Sequence, residues 1–208
     1  MINYNASITG QAFTFEQSKH VTDINPYNEN LPLILSVDFN INPMCWGLAQ
    51  EVKGFSSYFK EYTVEHTITE HVIAQVVEDM KNHKKKEIYI YGDATGRAGN
   101  TKSLETDYDY IFQALETAGW DVFDYVRRSN PSHKDRISVS NKRFQDWEND
   151  NEVHFEVYAE CVEIIDSLEQ TQRKGHGILK NNMEHHSDHV TYYLYEKFRP
   201  DESTLTWS

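Results

Sequence analysis

Between Leu33 and Val64 the apolar positions fall in three short, closely spaced runs. The run "LILSVDFN" (33–40) stays apolar until an acid and asparagine close it, the pattern of a strand buried on both faces. After a turn at Asn42–Pro43, "MCWGLAQEV" reads as a second strand and "FSSYFKEYTV" as a third. Strands spaced this tightly predict an antiparallel meander. From Thr69 the period lengthens: Val72, Ile73, Val76, Val77 and Met80 form a helical stripe that fades into Lys84–Lys86. A β-prone run over Ile88–Tyr91 follows. Next comes a helix with Leu104, Tyr108, Ile111, Phe112 and Leu115 on one face, stopped near Gly119. "WDVFDY" predicts a short strand, and "SHKDRISVSNKRFQDW" and "YAECVEIIDSLEQ" predict two helices. "TQRKGHGILK" falls within a hairpin over 170–181, and "SDHVTYYLYEKF" is a last helix before Pro200. Residues 1–30 are a polar lead-in with scattered aromatics, and Pro26 and Pro32 bracket a loop. Three adjacent strands, then strands alternating with helices, predict an α/β fold. Its mixed β-sheet, an antiparallel meander plus parallel strands, is flanked by α-helices on both faces.

Composition narrows the class without changing this picture. A chain of 208 residues, 38% hydrophobic and 13% aromatic, suits one folded domain over 1–208. No apolar run approaches the length of a membrane helix, and "MINYNASITG" has neither a basic nor an apolar signal region, so secretion is not expected. Cys45 and Cys161 lie far apart without metal-site spacing, which suits a reducing compartment. The formal charge of −13 argues against a surface that grips phosphates by itself. Bases are concentrated locally, however: Arg127, Arg128, Lys134, Arg136, Lys142 and Arg143 form one group, and Arg173, Lys174 and Lys180 another.

The stretch "EIYIYGDATGRAGNTKS" (87–103) imitates a phosphate-binding loop. Gly96, Lys102 and Ser103 fit G-x-x-x-x-G-K-[ST], but Thr101 stands in place of the second glycine. Asp93 at the mouth of the loop would repel a phosphate held by backbone N–H groups, and it suits a cation better. Two further acids stand at element ends. Asp38 closes the first core strand, where an unpartnered carboxylate would be costly, and Asn40 shares its face. Asp188 begins the last helix. Each acid alone has a structural explanation, as a turn residue, a loop acid or a helix-end charge. Together they form an oxygen donor set for hard divalent ions, and the carboxyl ends of strands are where such sheets bind ligands.

The order "SVDFNINPMCWGLAQ", "IYIYGDATG", "SNPSHKDRISVSNKRF" and "GILKNNMEHHSDHVTYYLYEKF" resembles the nuclease domain of the large terminase subunit of tailed bacteriophages. "ITGQAFTFEQSKHV" also resembles the segment leading into that domain, so the likeness covers nearly the whole chain. The resemblance implies an RNase H-like fold and a metal-dependent endonuclease that cuts concatemeric double-stranded viral DNA during genome packaging, with low sequence specificity. It places metal-binding, catalytic acids at Asp38, Asp93 and Asp188, served by two Mg²⁺ or Mn²⁺ ions. It also implies DNA contacts at Arg136, Arg143 and Lys180, and partners in the terminase ATPase domain, the small terminase subunit and the portal. The setting implied is the cytoplasm of an infected bacterial host. The chain has no convincing Walker A motif and no room for the ATPase domain.

Other readings compete. His185, His186 and His189 could bind zinc, although H-H-x-x-H lacks the glutamate of H-E-x-x-H. A resolvase-like or other RNase H-like nuclease would use the same acids on branched DNA or RNA–DNA. A non-catalytic docking module would need no metal site, and the intact set of three acids argues against it.

Overall fold

The structure, a computed structural model, describes residues 9–40, 42–99, 105–145, 153–175, 177–178 and 184–200. In chain order its elements begin with β1 (Thr9–Gln11), α1 (Gln17–His20), β2 (Val21–Thr22) and β3 (Leu33–Asp38). Then come β4 (Met44–Val52), β5 (Phe55–Val64), α2 (Thr69–Asp79) and β6 (Glu87–Gly92). A 3₁₀ turn (Ala94–Arg97) leads to α3 (Asp107–Thr117), β7 (Asp121–Asp124) and α4 (His133–Gln145). The described chain closes with β8 (Phe155–Tyr158), α5 (Val162–Gln170), β9 (Gln172–Lys174), β10 (Gly177–Ile178) and α6 (His185–Phe198).

The meander forms as the pattern implies. Strands β3, β4 and β5 pair antiparallel in sequence order, and β6 and β7 add to the β3 side in parallel. On the other side β8 pairs parallel to β5, and β2 parallel to β8. The resulting order is β2-β8-β5-β4-β3-β6-β7, so β3 lies inside the sheet with β6 as its parallel neighbour. A second, small sheet joins β1 and β10 to opposite edges of β9, and β9–β10 is the hairpin of "TQRKGHGILK".

Strand β8 is a correction to the sequence reading. The pattern assigns Tyr158 to the helix that follows, yet the helix starts at Val162. The run "FEVY" is only four residues long. Its hydrogen bonds come from β5 and β2, distant in sequence, and not from any local turn. The helix predicted from Leu104 onward likewise begins at Asp107, where Thr106 accepts from the Asp109 N–H and Asp109 accepts from the Thr106 N–H. This reciprocal capping box places the start firmly, and Leu104 lies outside the described residues.

The period of two along each strand divides the interior between the two faces. Leu33, Leu35, Val37, Ile88 and Ile90 pack beneath α2 and α3, with Val72, Ile73, Val76, Tyr108, Ile111 and Leu115. Ile34 and Tyr91 face the other way, toward Ile137, Ile164, Leu168, Val190, Tyr193 and Leu194 of α4, α5 and α6. That alternation sets up the site. Ser36 and Asp38 share the face of Ile34, and α6 lies across β3, β4 and β6 on that same face.

Candidate functional site

Asp38 and Asp93 are brought together by sheet register. Val37 of β3 stands opposite Gly92 of β6, and the Asp93 N–H donates to the Val37 carbonyl at 3.2 Å. The two acids therefore leave adjacent strands at the same level, at the carboxyl ends of a parallel pair. Asp38 is buried, 4% exposed, and accepts a hydrogen bond from the Asn40 amide. The same amide nitrogen reaches His185 Nδ1 at 2.7 Å, which ties the end of β3 to the first turn of α6. Asp93 caps the 3₁₀ turn: its Oδ1 accepts from the Thr95 N–H at 2.7 Å and from Asn130 Nδ2 at 2.6 Å. The Tyr108 hydroxyl donates to the Asp93 carbonyl at 2.9 Å and steadies the turn from the opposite face.

Asp188 arrives from the first turn of α6 and is 9% exposed. Its Oδ1 stands 2.9 Å from Nη1 of Arg136, itself buried on α4. That nitrogen has two hydrogens, and it donates to Thr191 Oγ1 at 2.8 Å and to the Asp188 carbonyl at 3.2 Å. Oδ1 is thus paired in charge yet buried without a directed hydrogen bond. A buried carboxylate oxygen so placed is suited to a further cationic partner. Burial chiefly pushes the Tyr192 phenol pKa up and Arg136 pulls it down, while Asp93, Asp188 and Asp38 each raise it.

A polar chain runs from exposed Thr63 into the buried interior. The Thr63 hydroxyl meets His186 Nε2 at 2.8 Å, and His186 Nδ1 meets His189 Nε2 at 3.0 Å. His189 Nδ1 meets Ser36 Oγ at 2.8 Å, and Ser36 meets the Tyr58 hydroxyl at 2.9 Å. Burial pushes the His186 pKa down to about 3 and His189 well below its ordinary value, so both rings are neutral. The H-H-x-x-H pattern is divided among separate tasks: His185 faces Asn40, while His186 and His189 pin α6 to the sheet. Among the described residues no three His, Cys, Asp or Glu side chains are gathered tightly enough to enclose an ion. What the fold supplies is three carboxylates around one strand junction.

The basic residues expected to touch DNA are placed differently. Arg136 is 2% exposed, with its guanidinium 4.1 Å from the Tyr192 ring centre and bonded to His133 Nδ1 at 2.8 Å. A side chain so enclosed does not present itself to a phosphate backbone, because its charge is already committed to Asp188. Arg143 lies 4.0 Å from the Phe198 ring centre and donates to the Gly54 carbonyl, tying α4 to the β4–β5 turn. Lys180 lies outside the described residues, as do Lys102 and Ser103 of the phosphate-loop imitation. Sequence reasoning places Asn40 on the face of Asp38 but does not find the contact of Asn130 with Asp93. An asparagine carries no pattern of its own, and Asn130 reaches Asp93 only through the β6–β7 pairing.

A mixed sheet of antiparallel meander plus parallel strands, with helices on both faces, is the RNase H-like fold. Among proteins of known structure, it is the fold of the large terminase nuclease domain. The nuclease domain of P22 large terminase superposes with a TM-score of 0.62 at 13% identity, over 91% of this chain and 93% of that one. The large terminase of a thermophilic bacteriophage, in complex with ADP, gives 0.63 at 15% identity, over 90% of this chain. The large terminase nuclease from thermophilic phage G20c with bound magnesium gives 0.53 at 13% identity, over 82% of this chain and 83% of that one. The chain spans 45% of the length of the ADP-bound large terminase. No protein-family model and no curated protein matches the chain.

Proposed function

We propose that this chain is a metal-dependent endonuclease domain that cuts double-stranded viral DNA concatemers during genome packaging. One observation carries the reading: β3 and β6 bring Asp38 and Asp93 to the same level, on the face where α6 lays Asp188. The donor set is all oxygen, and the buried, hydrogen-bond-deficient Oδ1 of Asp188 suits a hard cation. Support also comes from the shared fold and from the magnesium in the G20c nuclease.

In this reading Asp38, Asp93 and, from α6, Asp188 would hold the cations. Two Mg²⁺ or Mn²⁺ ions held there would supply activated water and charge neutralisation for phosphodiester hydrolysis. Asn40 keeps Asp38 turned toward α6. Neutral His186 and His189 leave the acidic character of the centre undiluted. Hydrolysis by water needs no covalent enzyme intermediate. We assign residues 1–208 to one domain with a lead-in over 1–30. The partners implied are double-stranded DNA, a terminase ATPase domain, the small terminase subunit and the portal. Among the described residues no helix is long and apolar enough to cross a membrane.

The test is plasmid digestion with Mg²⁺, Mn²⁺, Zn²⁺ and EDTA, using wild type, Asp38→Asn and Asp93→Asn. Each substitution is expected to lower Mn²⁺-supported cleavage by at least about 100-fold, with the circular dichroism spectrum unchanged. A variant that degrades plasmid as fast as wild type sinks the assignment. Activity restored by zinc alone would favour a different chemistry.

A further inference from the structure

Two of the three acids are held by one short segment, the loop after β7 and the first turn of α4. At one end, Asn130 donates from Nδ2 to Asp93 Oδ1 at 2.6 Å, while its own Oδ1 accepts the Ala94 N–H at 2.8 Å. Both ends of the amide are engaged, so its orientation is set by its two partners. Asp93 Oδ1 also takes the Thr95 N–H, and among the described residues Oδ2 receives no hydrogen bond. The carboxylate is thus pinned through one oxygen with the other left for a ligand. At the segment's far end, Arg136 holds Asp188 by charge and by its carbonyl. Between them Ser132 caps the start of α4: its hydroxyl accepts from the Asp135 N–H at 3.2 Å and donates to the Asp135 carboxylate at 2.7 Å.

From this geometry we propose that Asn130 is a positioning residue for Asp93, anchored by the same segment that Arg136 ties to Asp188. The segment is a brace between the acid delivered by the sheet and the acid delivered by α6. Its task is to fix the Asp93 carboxylate through Oδ1 so that Oδ2 is left for a ligand. Without the Asn130 amide, Asp93 keeps only the Thr95 N–H, and its carboxylate can swing about that single bond. The proposal rests on the metal-nuclease reading. It adds a residue that touches neither cation nor DNA and acts through Asp93.

The experiment uses the full chain with Asn130→Ala, and Lys134→Ala as a control exposed on the same segment. Mn²⁺ affinity is measured by calorimetry, thermal unfolding is followed without metal, and plasmid cleavage is followed across a Mn²⁺ series. Asn130 is exposed, so the metal-free melting temperature of Asn130→Ala is expected to stay within about 2 °C of wild type. Its Mn²⁺ affinity is expected to fall about 10-fold or more, as when an outer-shell partner of a ligand is removed. Cleavage should fall at limiting Mn²⁺ and recover as Mn²⁺ is raised, with KM for plasmid unchanged. Lys134→Ala should keep wild-type Mn²⁺ affinity. Unchanged Mn²⁺ affinity in Asn130→Ala overturns the proposal, whether or not KM for plasmid rises. If wild type binds and cleaves normally while Asn130→Ala matches it, the brace alone fails. If wild type neither binds Mn²⁺ nor cleaves, the nuclease reading fails and takes the brace with it.

Discussion

Gly92 shows how far the site depends on one missing side chain. A Cβ there would lie 2.5 Å from Val37 Cγ2 and 2.8 Å from the Tyr108 hydroxyl, and would also press on the Val37 carbonyl. That carbonyl accepts the Asp93 N–H, so the glycine lets β6 finish tightly against β3 just where the two acids leave the sheet. Backbone cannot give way as a flexible side chain can. Gly92→Ala is therefore expected to cost about 1–3 kcal/mol in urea unfolding, and to reduce cleavage through the displaced Asp93. Unchanged stability would show that the strand ends are looser than this packing implies. The acids themselves are legible from the sequence because a carboxylate at the end of an apolar strand has few inexpensive explanations. The enclosure of Arg136 is not legible, for the opposite reason. A basic residue in a basic stretch looks solvent-facing, and only the packing of α4 against α6 shows that it is enclosed.

At the scale of elements, the decisive contact is α6 against the sheet. The helix delivers Asp188 and His185, and its approach is set by His189 bonding Ser36 beside Gly47, where an added Cβ would lie 2.6 Å from the His189 ring. Ser36→Ala would leave His189 Nδ1 and the Tyr58 hydroxyl buried and short of a partner. The expected loss is about 1–3 kcal/mol, read from the urea midpoint, with a lowered Mn²⁺ affinity as α6 loosens. A variant as stable as wild type would mean that the polar chain is incidental to the docking of α6. The helix is visible as a pattern in "SDHVTYYLYEKF", but which histidine faces the sheet is not. His185, His186 and His189 look alike in sequence, and their neighbours come from β3, β5 and the chain just after β3. Strand β8 escapes the pattern on similar grounds, since its reason for being extended lies in β5 and β2.

For the molecule as a whole, the described part of the lead-in is tied to α4. Asn141 of α4 accepts the Thr14 N–H at 2.9 Å and donates to the Ala12 carbonyl at 3.0 Å, while His20 bonds the Phe144 carbonyl at 2.8 Å. Acid sensitivity also belongs to this scale. His83 is 2% exposed, bonded to the Tyr27 hydroxyl at 2.8 Å and the Leu31 carbonyl at 2.9 Å, and it stacks on Trp120. Burial chiefly lowers its pKa below the ordinary 6.5, although the Leu31 bond opposes this. Below that ordinary value the unfolded chain takes up the proton more readily than the folded one, so this group makes stability fall as pH drops through about 6.5. Its contribution is nil well above that pH. An NMR titration of the His83 ring should show a midpoint under 6.5, and the urea midpoint should decline from pH 7 to pH 5. A midpoint at or above 6.5 would refute the burial argument.

The sequence by itself determined the order and kind of the main elements, because apolar period is a local property that burial on one face enforces. It also determined which acids stand at strand and helix ends, and through the resemblance it pointed to the fold. Only the tertiary structure decided that Asp38 and Asp93 share a level, that Arg136 serves Asp188, and that Asn130 holds Asp93. Those facts rest on register, helix crossing and long-range pairing, and such distances between distant residues leave no period along the chain.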